Sequence, residues 1–256
     1  MRLDSYLVEN NLAVSRNKAQ QLINLERIKV NDKIIKKASF NVSDTDRVEV
    51  ISELEFVSMG GYKLEKAISE FGIDINGKTC IDVGASNGGF THCMLKHGAC
   101  KVFAVDVGEC ALEPTIRDDS RVIIRDRLNA REMSIDDIGC LADFISIDVS
   151  FISLSYIMYN VLKLLSCDGT LVALIKPQFE AGRKALSKTG IVTDKKQHIK
   201  VIADILELVK GLGMVVTKLT YAPIREGKNI EYLIEVKHSG KCININYIES
   251  LVKGIA

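Results

Sequence analysis

The chain has 256 residues, of which 47% are hydrophobic and 26% charged, with a formal net charge of +1. That balance excludes a disordered chain and a globally basic nucleic-acid binder, so any cationic surface has to be local. The length is enough to bury a sizeable core, as one large domain or as a large and a small one.

Residues 1–55 read as a first unit. In RLDSYLVENNLAVSRNKAQQLI the apolar residues fall at 3, 7, 12, 19, 22 and 23, which predicts two short amphipathic helices broken near Leu12–Val14. Ser15 stands where it would cap the second helix. RIKVN, a turn at Asn31-Asp32, KIIKKASF and RVEVI then read as short strands. Eight basic residues against four acidic ones give residues 1–43 a net charge of +4. On charge alone that is equally a solvated face.

The whole pattern says more. The opening Arg2-Leu3-Asp4, the Ser15-Arg16 pair with Ala19, and the Val30-Asn31 turn followed by Lys36 resemble the S4 RNA-binding domain. Glu26 stands where that family usually has glycine. The resemblance implies binding to structured RNA through backbone and shape, with Arg2, Ser15, Arg16, Lys18, Lys33 and Lys36 on the RNA-facing surface.

Residues 56–78 are expected to form a linker and a leading helix, and SMGGYKLEKA places Lys63 near that helix's start. Over residues 79–240 short β-branched runs alternate with helix-length pieces: TCIDVGA, KVFAVDVG, RVIIRD, DFISIDVS and TLVALIK. Such alternation predicts a mostly parallel sheet covered by helices on both faces. MVVTKLTYA and NIEYLIEVK follow with only a loop between them, which predicts an antiparallel pair and puts Glu231 in the last strand. Residues 241–256 form a tail with a weak helical ending.

DVGASNGGF, from Asp82 to Phe90, follows the first of these strands and opens a helix. Ligands in doubly wound sheets lie at the carboxyl ends of strands, where glycines let the backbone approach them. The second strand ends at Asp106, about where an acid would hold the hydroxyls of an adenosine ribose. A dinucleotide is the rival ligand, but the loop is neither G-x-G-x-x-G nor a P-loop. DVGASNGGF followed by VDVG instead resembles the cofactor loop of S-adenosylmethionine-dependent methyltransferases. That resemblance implies S-adenosyl-L-methionine held by Asp82, Gly84, Ala85, Ser86, Gly88, Gly89, Phe90, Asp106, Val107 and Asp148, with Asp126 and Asn129 beside the adenine.

LVALIKPQFE delivers Lys176 from an apolar strand straight into Pro177. An amine at the end of a core strand costs desolvation energy unless something there uses it. Asp148 ends the neighbouring strand, so the two share one crevice. Seen singly, Lys63 reads as surface, Asp148 as a strand-end cap, Lys176 as a snorkelling lysine and Glu231 as an edge position.

In the order Lys63, Asp148, Lys176, Glu231 they resemble the catalytic set of FtsJ-like ribose 2′-O-methyltransferases. SMGGYKLEKA, CIDVGASNGGFTHCMLKHGA, VFAVDVG, IDVSFISL, LIKPQFEAGR and GIVTDKKQH further resemble the hemolysin A-type rRNA methyltransferases, in which an S4 domain precedes this fold. Two departures stand out. Met59 replaces the arginine usual before two glycines, and Asp126 with Leu128 alters the usual glutamate–arginine–threonine–asparagine run.

The resemblance implies an α/β fold: a Rossmann-like S-adenosylmethionine-dependent methyltransferase sheet behind a small α+β S4 domain. It further implies methyl transfer to the ribose 2′-hydroxyl of cytidine in ribosomal RNA or ribosomal subunits. A sulfonium already activates its methyl group, so no metal is expected, only a base for the hydroxyl and alignment of the reacting atoms. Lys176 is the candidate base. Burial and a second cation favour its neutral form, whereas neighbouring carboxylates oppose that.

Arg183, Lys184 and Lys188 lie in a basic loop beyond this strand and are candidates to grip phosphates. Three other readings stand beside this one: an RNA-binding assembly factor or cofactor sensor without catalysis, a membrane-active hemolysin, and methylation of a base. Seven cysteines without a C-x-x-C pair suit a reducing compartment, and four separated histidines add no metal-ligand spacing. The polar N-terminus and the lack of any run near the roughly 20 apolar residues of a membrane helix lead to the expectation of a cytoplasmic protein with no membrane partner.

Overall fold

The computed structural model describes residues 1–225 and 227–255, and these form two compact units that divide between Met59 and Gly60. In the first unit, helices α1 (Leu3–Glu9) and α2 (Arg16–Asn24) precede strands β1 (Ile28–Val30), β2 (Lys33–Ile34) and β3 (Val48–Val50). The strands form an antiparallel sheet in the order β2-β1-β3. Leu3, Leu7, Ala19, Leu22, Ile23, Ile28, Val30 and Val42 make its core.

Ser15 caps α2 as expected, its hydroxyl accepting from the Lys18 N–H at 3.3 Å. Asn31 and Asp32 both hold positive φ, at 49° and 64°, which is what a two-residue hairpin between β1 and β2 demands. Glu26 closes α2 in the left-handed region at φ 59°. Its N–H bonds Ile23 O and the Arg27 N–H bonds Leu22 O, the double closure that glycine usually serves. Lys36 pairs with the Glu26 carboxylate at 2.7 Å.

The second unit opens on α3 (Met59–Phe71) and is built on a seven-stranded sheet. Strands β4 (Thr79–Val83), β5 (Lys101–Val105), β6 (Val122–Arg125), β7 (Ala142–Ile147) and β8 (Leu165–Ile175) run parallel. Strands β9 (Val215–Tyr221) and β10 (Tyr232–Lys237) complete the order β6-β5-β4-β7-β8-β10-β9. β10 inserts between β8 and β9, antiparallel to both. Helices α4 (Gly89–Lys96), α5 (Pro114–Arg117), α6 (Ile135–Ile138), α7 (Met158–Leu162), α8 (Pro177–Glu180), α9 (Lys195–Gly211) and α10 (Ile245–Gly254) connect and cover the strands.

One sheet face, with Ile81, Phe103, Ile145, Leu171 and Ile234, packs with α7, α9 and α10. The residues between them, such as Cys80, Val102, Phe144 and Val172, are buried too, as in a sheet covered on both sides. The chain runs outward from β4 to β6 and then returns to β7 on the opposite flank of β4. A doubly wound sheet presents its ligand crevice at this reversal.

Candidate active site

Gly84 leaves β4 with φ 89°, and a Cβ there would lie 2.4 Å from the Asp148 backbone oxygen. Only glycine lets the ends of β4 and β7 approach this closely. The Ser86 N–H donates to one oxygen of Asp106 and the Gly108 N–H to the other, each at 3.0 Å. Asp106 thereby ties the glycine loop to the end of β5.

A crevice of about 530 Å³ opens over these strand ends, within the range of small-molecule sites. Of the residues expected around a cofactor, Gly84, Ser86, Asp106, Val107, Asn129 and Asp148 line it. Leu128, one of the two departures from the family run, lines it as well, and Ala130, Arg131, Val149, Ser150, Ile152 and Ile157 add a wall that the sequence pattern does not single out.

Asp82, Ala85, Gly88, Gly89, Phe90 and Asp126 are not part of that lining. Asp82 lies beneath the loop, fully buried, accepting from the Thr91 hydroxyl at 2.6 Å and the Ser146 hydroxyl at 3.1 Å. Burial pushes its carboxyl up to about 6 against the pull of those hydroxyls, and the charge of Asp148 adds to the rise. Asp126, expected beside the adenine, instead accepts the Cys110 N–H at 2.6 Å and holds that loop; the same bond keeps its carboxyl below the usual range. Asn129 occupies the crevice edge.

The four candidate catalytic side chains meet. Lys176 Nζ lies 2.6 Å from Asp148 Oδ1 and donates to the Ser150 hydroxyl at 2.9 Å. Lys63 Nζ lies 2.7 Å from Glu231 Oε2 and 3.7 Å from Asp148 Oδ2. Asp148 therefore bridges two amines, one on each oxygen. The side chains are between 10% and 19% exposed, which strengthens these attractions relative to water. Glu231 is not inside the last strand, as the sequence suggests, but one residue ahead of β10, where Ala222 N–H bonds its carbonyl.

Two further features come from the segment after Asp148. Phe151 is a bulky residue held at φ 65°, with its side chain outward and 91% of the residue exposed, 5.2 Å from the Phe179 ring. Strain of this kind at a crevice rim is a mark of functional sites. Glu180 anchors the segment, accepting from the Ser153 hydroxyl at 2.5 Å and the Leu154 N–H at 2.8 Å. Burial raises its carboxyl above the usual range. No pattern in the sequence marks Glu180, because its partners lie 26 and 27 residues away.

Among the residues expected to face RNA, Arg2 and Arg16 both bind the buried carboxylate of Asp4, at 3.0 and 2.9 Å, with about half of each side chain exposed. The Arg2 hydrogen bond, more than any other contact, holds Asp4 well below the usual carboxylate range. Lys18 bonds the Val57 carbonyl, and Lys33 and Lys36 are exposed. In the second unit Arg183, Lys184 and Lys188 are exposed. Ser15 spends its hydroxyl on the helix cap.

A sheet with an antiparallel strand inserted beside its edge, a glycine loop after its first strand and an acid ending its second defines a Rossmann-like methyltransferase. A family model described as FtsJ-like methyltransferase matches residues 56–237, and one described as S4 domain matches residues 1–48. The chain belongs to the FtsJ-like methyltransferase family and carries an S4 domain ahead of that fold.

Hemolysin A of Brachyspira hyodysenteriae is 42% identical over 238 residues, which cover 91% of this chain and 98% of that protein. The 16S/23S rRNA (cytidine-2'-O)-methyltransferase TlyA of Mycobacterium tuberculosis is 35% identical over 237 residues, 91% of this chain and 88% of its own. A solved structure of a hemolysin-named protein from Streptococcus thermophilus matches with a TM-score of 0.76 and 35% identity, over 99% of this chain and 94% of that one. Among the described residues, no helix is long and apolar enough to cross a membrane.

Proposed function

We propose that this protein transfers the methyl group of S-adenosylmethionine to the ribose 2′-hydroxyl of a cytidine in ribosomal RNA, with Lys176 as proton acceptor. The carrying observation is the convergence of Lys63, Asp148, Lys176 and Glu231 beside the crevice. The named activity of the mycobacterial relative supports the substrate.

The residues present fit the cofactor. The crevice over the strand ends, lined by Gly84 and Ser86, has about 530 Å³ for a small-molecule ligand. Asp106 and Asn129 offer polar groups for an adenosine, and Leu128, Val149, Ile152 and Ile157 an apolar wall. When bound, the sulfonium supplies a methyl group already activated for displacement.

The chain's part is to position and deprotonate a weakly acidic hydroxyl. Asp148 and Ser150 hold the Lys176 amine from two sides, and in its neutral form the lone pair of that amine is what accepts the hydroxyl proton. Lys63 shares the charge of Asp148, so that carboxylate does not serve the Lys176 ammonium alone. Glu231 keeps Lys63 in place at 2.7 Å. No step in this reading calls for a metal. The exposed ring of Phe151 offers a face on which a nucleobase can stack.

The S4 unit and the exposed Arg183, Lys184 and Lys188 would hold ribosomal RNA through phosphates, and cytoplasmic location follows from that substrate. Purified protein, labelled S-adenosylmethionine and ribosomal subunits lacking the modification test the reading. The expected result is label on a cytidine ribose, mapped by its resistance to alkaline cleavage. Label on a base, or none with either subunit, would overturn it.

A further inference from the structure

Away from the crevice, α3 and α4 bring three side chains of different chemistry to one point. Glu65 comes from α3, Cys93 lies on α4, and His97, four residues after Cys93, caps the C-terminal end of that helix, so the two point to one side. His97 Nε2 lies 2.7 Å from Glu65 Oε2, and the Cys93 thiol donates to the same oxygen at 3.7 Å. One donor atom from each residue lies within 4.8 Å of the others. A count of histidines and paired cysteines overlooks this group, because Glu65 is 28 residues from Cys93.

We infer that Glu65, Cys93 and His97 form a binding site for a divalent transition-metal ion of the zinc type, with water as fourth ligand. The donor set selects the metal: a thiolate and an imidazole favour zinc over magnesium or calcium, which prefer oxygen throughout. Three protein ligands and one open position make a recognised zinc arrangement.

The spacing suits it too. Around a tetrahedral zinc with bonds of about 2.0–2.3 Å, neighbouring donor atoms sit roughly 3.3–3.7 Å apart. The sulfur–oxygen separation is already 3.7 Å, the nitrogen–oxygen contact has to open from 2.7 Å, and the sulfur–nitrogen separation, within 4.8 Å, has to close. Rotation of the Glu65 and His97 side chains, 39% and 32% exposed, accommodates these changes.

These two half-exposed groups also give the ion its entry, with the fully buried Cys93 beneath them. Burial and the Glu65 carboxylate hold the Cys93 thiol protonated, and a divalent cation supplies the charge that offsets both. On binding, the sulfur–hydrogen bond breaks, its proton leaves to solvent, a sulfur–metal bond forms, and waters leave the hydrated ion; nothing is oxidised or reduced. The ion would tie the helix that bears Lys63 to the helix that follows the glycine loop. It would stiffen both without entering the crevice, and its presence does not depend on the methyl-transfer reading.

Cobalt(II) serves as the spectroscopic probe, titrated into chelator-treated full-length protein. The expected result is one equivalent bound, with thiolate-to-cobalt charge transfer and tetrahedral ligand-field bands that zinc abolishes by displacement. Cys93→Ala should lose the charge-transfer band, and His97→Ala and Glu65→Gln should each weaken binding about tenfold or more.

Cys100, Cys167 and Cys242 are exposed, so a variant with all three changed to serine is the control, and it should bind as the parent does. If Cys93→Ala does not fold, the half-exposed His97 still gives the readout. Absence of a stoichiometric band in the folded parent would overturn the inference. So would a band that survives both His97→Ala and Glu65→Gln, or one that vanishes with the three exposed cysteines.

Discussion

Asp82 gives the sharpest stability prediction, because it is fully buried among neutral donors, the Thr91 and Ser146 hydroxyls and the Thr91 backbone N–H. Its carboxyl is pushed up to about 6 from an ordinary 3.8, mainly by burial. Each unit of that gap is about 1.36 kcal/mol, so the ionised form costs the folded state roughly 3 kcal/mol. Below the unfolded value both states are protonated and no cost exists. As pH rises toward about 6 the unfolded chain releases the proton while the folded one keeps it, and stability falls. Above about 6 the full cost is present.

Asp82→Asn removes the charge and keeps the shape. Urea unfolding of parent and variant across pH isolates this residue together with its coupling to Asp148, since uncoupled groups cancel in the difference. Relative to the parent, the variant should gain about 2 kcal/mol between roughly pH 4.5 and 7.5. A difference that stays flat over that window would refute the burial argument. A difference that falls with pH would mean that the two hydroxyls dominate.

Gly84→Ala should destabilise by about 2 kcal/mol or more, from the left-handed backbone and the contact with Asp148 O, and S-adenosylmethionine binding by calorimetry should vanish with it. In the S4 unit, Lys33→Gln should reduce the slope of log affinity for ribosomal RNA against log salt by about 1, measured by filter binding. An unchanged slope would remove Lys33 from the phosphate contacts. Glu180→Gln should slow methyl transfer several-fold and leave cofactor affinity unchanged, because Glu180 anchors the segment bearing Ser150 and Phe151 and does not line the crevice.

Much of the site is legible in the sequence because strand ends carry it. The ends of β4, β5, β7 and β8 are short apolar runs broken by a charged or glycine residue, so Gly84, Asp106, Asp148 and Lys176 can be placed by the geometry of a doubly wound sheet alone. Lys63 and Glu231 are reached through the family pattern, since neither periodicity nor spacing links a helix start to a residue 168 positions later.

What escapes the sequence is contact between distant elements. Asp126 reads as a crevice residue by its place after β6, yet the Cys110 N–H, 16 residues earlier, claims its carboxylate. The Glu180 clamp is hidden for the same reason, and so is the cluster of Glu65, Cys93 and His97. Glu26 shows the opposite case. The turn forms although the residue is not glycine, because two backbone hydrogen bonds and Lys36 hold the left-handed conformation.

The assignment of Lys176 is tested most directly by single-turnover methylation of ribosomal RNA with Lys176→Met at saturating S-adenosylmethionine. Lys176 is absent from the crevice lining, and Lys63 remains to balance Asp148, so the variant should fold and keep the parent's cofactor affinity. Its methyl-transfer rate should fall by about 10²–10⁴, the usual worth of a positioned base. A rate within about threefold of the parent's would contradict the account.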